Sequence, residues 1–438
     1  MMTTAVPDRK TTWVSIGIIG TMFFIFGFVS WINAILIPYF KIACELSNFQ
    51  SYLVAFAFYI SYLLMSMPSS YLLKKVGYKN GIMVGFWIMA AGAFLFVPAA
   101  YNRAYVIFLV GLFTLGTGLA VLQTVANLYI TMIGEKERAA QRISMMGICN
   151  KGAGILAPLI FSYTILRPQD NELFRQLPLM DEMTRAAALD DLILRVVWPY
   201  TVVGILLFLI GGAIKLSILP ELPQEQESAV PGQGKSRQSI WQFPHLILGA
   251  LAIFLHVGTQ VIAIDTIINY AGSMGLSLLE AKSLPSYTLT ATIIGYLSGI
   301  MLIPKLCSQR TMLKICTLLG LTLAIFVCTM HGQVHLFGMD LDISIWFIVL
   351  IGLPNALIWA GIWPLALDGL GHLAKQGSAL LIMGLCGNAL LPLLYGVLAD
   401  AFDVKSAYWI LTPCFLYLVF YAFRGHRLRQ WTPAQKKK

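Results

Sequence analysis

The stretch PELPQEQESAVPGQGKSRQS, residues 220–239, decides the fold by what it separates. It is rich in Pro, Glu, Gln, Ser and Gly, can bury little apolar area, and reads as a solvated linker. Before it lie six long apolar runs, at 13–38, 49–73, 81–101, 105–133, 144–166 and 194–218. After it lie six more, at 243–271, 283–304, 312–331, 343–371, 376–402 and 406–424. A helix needs about 20 apolar residues to cross the hydrocarbon core. In lipid every backbone N–H and C=O must be satisfied within the protein, which leaves helix bundles as the expected solution. The reading is an all-α membrane protein of twelve transmembrane helices in two pseudo-symmetric six-helix bundles. The bundles cover 1–218 and 243–438, joined by a cytoplasmic linker at 219–242 and ending in a short cytoplasmic tail.

Composition agrees. The chain is 58% hydrophobic and only 11% charged, with mean hydropathy +0.76, whereas soluble domains carry about 25% charged residues. The net charge of +10 is explained by its distribution rather than by a nucleic-acid partner. With the N-terminus inside, most Lys and Arg fall on the cytoplasmic side, among them Lys74, Lys75 and Lys79, Lys136, Arg138 and Arg142, and Arg424 to Lys438. That is the positive-inside bias, and twelve spans put both termini in the cytoplasm. Lys151 stands apart, inside a span. The first span is too long for a signal peptide and is expected to be retained. The seven cysteines are scattered, with no CxxC or Cys/His cluster, so neither a disulfide framework nor a metal site is expected.

The halves resemble each other. Superposing Pro158 on Pro392 aligns LAPLIF with LLPLLY and brings Ser144 onto Ser378. Superposing Tyr39 on Tyr270 places Ala34 opposite Asp265. Such repeats are the signature of alternating-access transporters, with substrate bound at the midplane between the halves.

Polar side chains inside spans need partners or a function. In the first half they are Trp31 and Asn33, Gln123 and Asn127 on one helix face, and Asn150; in the second they are His256, Gln260, Asp265, Asn355, Trp359, Trp363 and Asn388. Asn355, Trp359 and Trp363 recur every four residues, which puts an amide and two indoles on one stripe. Amides match paired hydroxyls and flat rings cover the C–H face of a pyranose, so the set suits a sugar. His256 reads more simply as a satisfied core histidine. Asp265 is the sharpest residue: a lone carboxylate at that depth must be neutral, paired with a cation, or wet. It is the candidate for ion coupling, by a proton or by Na⁺. Lys75 on an inner loop and Asp368 near the cytoplasmic end of span ten, close to His372 and Lys375, are candidates for gating, with a helix-end ion pair as the plainer role for Asp368. No P-loop, HExxH, GxSxG or dinucleotide fingerprint is present, so an enzyme is not expected and ATP would need another subunit.

At WINAILIPYFKIACELS (31–47), SYLLKKVGYKNGIMVG (70–85), LQTVANLYITMIGEKE (122–137), VGTQVIAIDTIINYAGSMGLS (257–277) and the long run 352–400, the chain resembles the fucose–galactose–glucose:cation symporter family of the major facilitator superfamily. IDTI and IWPLALDGLG are most similar to its glucose/galactose transporters. The resemblance implies the major facilitator fold, a bacterial inner-membrane location and cation-coupled import of a hexose such as glucose or galactose. It also marks departures. Fucose-type members carry Asp where this chain has Ala34 and Glu where it has Gln123. Many relatives carry Glu where it has Gln260. Asp265 is the carboxylate left to take over.

The site expected is therefore Trp31, Asn33, Gln123, Asn127, Asn150, Gln260, Asn355, Trp359, Trp363 and Asn388 around a monosaccharide, with Asp265 holding the coupling ion. No cofactor beyond H⁺ or Na⁺ is expected, no nucleic acid, and no partner besides lipid and substrate; the chain is expected to be a monomer. Open alternatives are an importer of amino sugars or peptidoglycan fragments, an uncoupled facilitator, a non-transporting sugar sensor and a lipid flippase.

Overall fold

A computed structural model describes residues 9–132, 139–217, 239–303, 306–370 and 373–431. Nineteen α-helices and one small hairpin are defined there. The first half holds α1 (Arg9–Trp31), α2 (Asn33–Ala43), α3 (Asn48–Val76), α4 (Tyr78–Phe94), α5 (Phe96–Tyr101), α6 (Tyr105–Met132), α7 (Ala139–Ile165), α8 (Asp170–Gln176), α9 (Glu182–Leu194) and α10 (Val197–Leu216). The second holds α11 (Pro244–Asp265), α12 (Ile267–Ser273), α13 (Leu278–Ala281), α14 (Leu284–Leu302), α15 (Gln309–Thr329), β1 (Gln333–Leu336), β2 (Met339–Asp342), α16 (Ile343–Leu367), α17 (Ala374–Met383), α18 (Gly387–Ala401) and α19 (Leu411–Phe423). Among the described residues, ten stretches are long and apolar enough to cross a bilayer. The 29-residue α3 and the 19-residue α14 occupy the places of spans two and eight. Most of the expected linker, 218–238, lies outside the described residues.

Several spans change helical geometry for a residue or two without the chain leaving the helix. Span one does so at Ile32, between α1 and α2. Pro38, one turn on, has no N–H to give the Ala34 carbonyl, so the helix is weakened where it bends. Span seven does so at Thr266, whose Oγ1 donates to the Ile262 carbonyl at 2.7 Å and competes with the backbone ladder. Span eleven passes through a 3-10 turn at Gly384–Cys386 between α17 and α18.

The helices start and stop on local chemistry. Ser47 and Gln50 form a reciprocal capping box at the start of α3. Gly77, at φ +80°, lets the chain leave α3 and turn into α4. Asp181 caps α9, accepting from the Thr184 N–H at 3.1 Å. That helix lies in the 167–192 loop, where MTRAAALDDLILRV suggests a surface helix. It is anchored instead of loose: Leu189, Leu192 and Ile193 are buried, and the Leu192 carbonyl accepts from the Tyr39 hydroxyl. The β1–β2 hairpin is not foreseen from sequence. Its two-residue turn, Phe337–Gly338, has both φ values positive, and Phe337 stacks on Tyr287 with ring centroids 5.0 Å apart.

Within each half the spans pack at glycines. A Cβ on Gly27 would lie 2.0 Å from the Asn150 carbonyl oxygen, and one on Gly258 would lie 2.2 Å from Leu391 and 2.8 Å from the Gly387 oxygen. The register that superposes Tyr39 on Tyr270 also superposes Gly27 on Gly258 and Phe23 on Phe254. The repeat is therefore a repeat of helix crossings, α1 on α7 and α11 on α18. The two halves meet along α3 with α18 and α7 with α14.

Candidate functional site

Where the spans α1–α2 and α11–α12 face each other, polar side chains from both halves collect. Trp31, 5% exposed, closes α1 and packs against Gly154, where a Cβ would come within 2.4 Å of its ring. Its indole N–H donates to Asn150 Oδ1 at 3.4 Å, and Asn150 Nδ2 donates to the Phe23 carbonyl at 3.3 Å. These two expected sugar contacts are thus partly engaged with each other. Next along α7, Lys151 sends its ammonium over the Trp31 ring, 4.1 Å from the centroid. It also donates to Gln260 Oε1 on α11 at 3.3 Å. The Lys151–Gln260 bond crosses from one half to the other. Sequence reading notes Lys151 inside a span but assigns it nothing; an unexplained Lys at that depth was the available signal.

Other groups around this core lack partners. Among the described residues, Asn33 Nδ2, both side-chain heteroatoms of Asn355, Asn388 Oδ1, His256 Nδ1 and both carboxylate oxygens of Asp265 are buried without a hydrogen bond. His256 is therefore not the satisfied core histidine that sequence reading favours. Buried polar atoms normally find partners, so orphans on α2, α11, α16 and α18 fit a polar solute or water. Asp265 is fully buried as the last residue of α11. Lys151 acts on it electrostatically. Ala34, Trp31, Ile264 and Leu289 form a small apolar cluster across the halves beside it.

Trp359 and Trp363 stack on each other, centroids 5.1 Å apart and planes 24° apart. Helical phase puts them with Asn355 on an arc of α16. That arc is flanked by Gly352, against Thr288 of α14, and Ala366, against Gly249 of α11. Gln123 is half-buried on α6, and the side chain of Asn127 lies outside the described residues.

At one end of the molecule the two halves are tied by hydrogen bonds. Asp400, at the end of α18, accepts from the Asn48 N–H at 3.0 Å, the Asn48 Nδ2 at 2.7 Å and the Phe49 N–H at 2.7 Å. A carboxylate there satisfies the free N–H groups of the α3 N-terminus and complements its dipole. Lys41 Nζ holds Asn48 Oδ1 at 2.6 Å. Deeper in, Asn269 donates to the Tyr52 hydroxyl at 3.1 Å, Tyr52 packs edge-on against Tyr395, and Ser286 Oγ donates to the Ile155 carbonyl at 2.7 Å.

Lys75 and Asp368 stand at the opposite end, away from the cluster. Lys75 is exposed over the Tyr71 ring of its own helix. Asp368 caps α16 and pairs with Arg429, which together with His245 also binds its carbonyl. The Arg429 guanidinium holds the Asp368 carboxyl below the usual carboxylate range. These partners all lie in the second half, so the described contacts make Asp368 a helix-end ion pair and not a bridge between halves. His372 and the side chain of Lys375 lie outside the described residues. Among those described, no group of His, Cys, Asp and Glu could hold a metal ion.

The family model described as Major Facilitator Superfamily matches residues 19–387. This chain belongs to the major facilitator superfamily. Within it, the chain is 32% identical over 409 residues to the glucose/galactose transporter of Brucella abortus, covering 93% of this chain and 92% of that one. It is 28% identical over 408 residues to the L-fucose–proton symporter of Escherichia coli, covering 92% and 91%. The crystal structure of the superfamily transporter FucP in the outward conformation superposes with a TM-score of 0.68, at 26% identity and over 94% of this chain and 98% of that one. These likenesses place it among the fucose–galactose–glucose symporters and agree with a multi-pass transporter rather than an enzyme.

Proposed function

We propose that this protein carries a monosaccharide, a hexose such as glucose or galactose, across a bacterial inner membrane by alternating access. Residues 1–218 and 243–438 would rock as two bodies about the central cluster. The observation that supports it most is the set of unpartnered polar atoms drawn from both halves, on Asn33, Asn355, Asn388 and His256. Hydroxyls of a sugar can satisfy amides and an imidazole that are otherwise costly to bury. The names of the relatives, a glucose/galactose transporter and an L-fucose–proton symporter, point to the same substrate class.

Asp265 is the proposed coupling group. It is fully buried and accepts no hydrogen bond among the described residues. An ionised carboxylate so placed would carry its charge without compensation, whereas the neutral acid does not meet that cost. A proton is therefore the favoured ion over Na⁺, which would need several oxygen ligands around it.

Uptake of labelled hexoses into proteoliposomes tests the reading. The expected result is accumulation above the external level under an inward proton gradient, and none with Asp265→Asn. Exchange without accumulation in the wild type would leave a facilitator. No hexose movement in either mode would remove the sugar reading.

A further inference from the structure

Lys151 is the charged group that transport as described leaves without a task. Its side chain is 7% exposed at a depth where an ammonium persists only if partners replace its water. Two do: the Trp31 ring in its own half and Gln260 Oε1 in the other. An ammonium has three N–H groups, and only the bond to Gln260 takes one among the described residues. Asp265 stands five residues beyond Gln260 at the end of α11, within electrostatic reach of Lys151, with both oxygens unpartnered. A lysine's flexible four-carbon stem can swing its charge between such stations.

We propose that Lys151 is the residue that converts protonation of Asp265 into sugar binding. With Asp265 neutral, the ammonium rests on Trp31 and Gln260, as seen here, and offers a free N–H to a sugar hydroxyl. With Asp265 ionised, the ammonium is drawn to the carboxylate and that donor leaves the site. The proton adds to an Asp265 oxygen and leaves from it. The inference rests on the reading of Asp265 as coupling group and deepens it. It also recasts Trp31 as a platform for the ammonium before it is one for a sugar. The ion pair gives the empty carrier a neutral way to bury Asp265 beneath the apolar cluster of Trp31, Ala34, Ile264 and Leu289.

Other titratable groups near the pair are few. His256 lies on α11 itself and interacts with Lys151, and Tyr52 and Tyr59 of α3 interact with Asp265. Among the other elements packed on α11, α2 contributes Lys41 and Tyr39, α12 Tyr270, α14 Tyr287 and Tyr296, α18 Asp400 and Tyr395, α19 Cys414, Tyr417 and Tyr421, and the 3-10 turns at Gly384–Cys386 and Gly425–Arg427 add Cys386, His426 and Arg427; α16 contributes none. Lys41 and Asp400 are engaged with Asn48. His256 and the buried Lys151 amine itself are the rival sources of a pH effect, and Asp265→Asn, which leaves both in place, separates them from Asp265.

The test is hexose binding to the full chain in detergent across pH, alongside uptake and counterflow in proteoliposomes. Wild-type affinity is expected to fall about tenfold as rising pH ionises Asp265, the loss of one hydrogen bond from a charged donor. Lys151→Gln should bind weakly at every pH, lose proton-driven accumulation and retain counterflow. Asp265→Asn should bind at all pH values with the affinity the wild type shows in acid. His256→Asn, which alters a group placed against the sugar, should lower affinity by the same factor at every pH and so keep the ratio between acid and alkali. A Lys151→Gln protein that keeps both the pH profile and accumulation overturns the proposal. So does Asp265→Asn binding at the weak alkaline level, which decides the matter if Lys151→Gln does not fold. A pH-flat wild type overturns it while leaving sugar transport standing; a wild type that binds no hexose removes the transport reading itself.

Discussion

At the scale of the residue, chemistry follows from which polar atoms are left without partners. Asn355 is 1% exposed and makes no side-chain hydrogen bond among the described residues. Its neighbour by helical phase, Trp359, leans on Trp363. Replacing Asn355 by Ala removes up to two hydrogen bonds to a bound sugar and relieves two orphaned atoms in the empty state. Hexose affinity should therefore drop about tenfold or more while the melting temperature of the empty protein holds or rises. Isothermal titration and a thermal melt in detergent measure the two. A variant with unchanged affinity would take Asn355 out of the site. The amides and indoles were legible as candidates because each is expensive inside a membrane. Their pairing was not. Nothing in the order of residues says that Asn150 spends its oxygen on Trp31, or that the lysine next to it reaches Gln260 more than a hundred positions away.

At the scale of the element, the two halves share a device: a glycine at matched positions where the first helix of each half crosses a partner. Gly27 and Gly258 leave no room for a methyl group, with the nearest neighbours of a new Cβ at 2.0 Å and 2.2 Å. Small residues permit this close approach, on which helix association in lipid depends. Gly27→Ala or Gly258→Ala should cost about 1–3 kcal/mol through overpacking and lower the melting temperature in detergent. Gly17, where an added methyl group would meet nothing within 4 Å, should tolerate the same change. Equal melting of all three variants would show that the crossings are looser than they look. The irregular turns in spans one and seven belong to this scale too. Pro38 announces the first in the sequence. Thr266 gives no such notice, because its hydroxyl could as well have faced solvent.

At the scale of the whole molecule, the two halves are tied at the Asp400 end. Asp400 holds the start of α3 from the opposite half with three hydrogen bonds. Opening that end must break them. Asn48→Cys with Asp400→Cys, in a background lacking the seven native cysteines, should be bridged by a short bifunctional thiol reagent. Bridging should stop uptake, and a cleavable reagent should restore it on reduction. Unimpaired uptake by fully bridged protein would mean that these ends do not separate during transport. A milder change, Asp400→Ala, should shift the equilibrium toward a form open at that end. Its measure is faster alkylation of a cysteine placed at Asn269, behind the tie. Because Asp400 looks like a surface carboxylate at a helix end, its place in that tie could not be read locally.

The membrane solvent, the major facilitator fold and the internal repeat were legible in the sequence alone. Each rests on apolar runs whose length must match the bilayer, and that match needs no knowledge of neighbours. The family was legible for a related reason: its motifs are continuous stretches. Tertiary structure alone decided which polar groups meet, which remain unsatisfied, that Lys151 lies between the halves, and that Asp400 ties them at one end. Those outcomes depend on how helices far apart in the chain rotate and cross. Rotation is set by packing of both faces at once, so no single span contains the information.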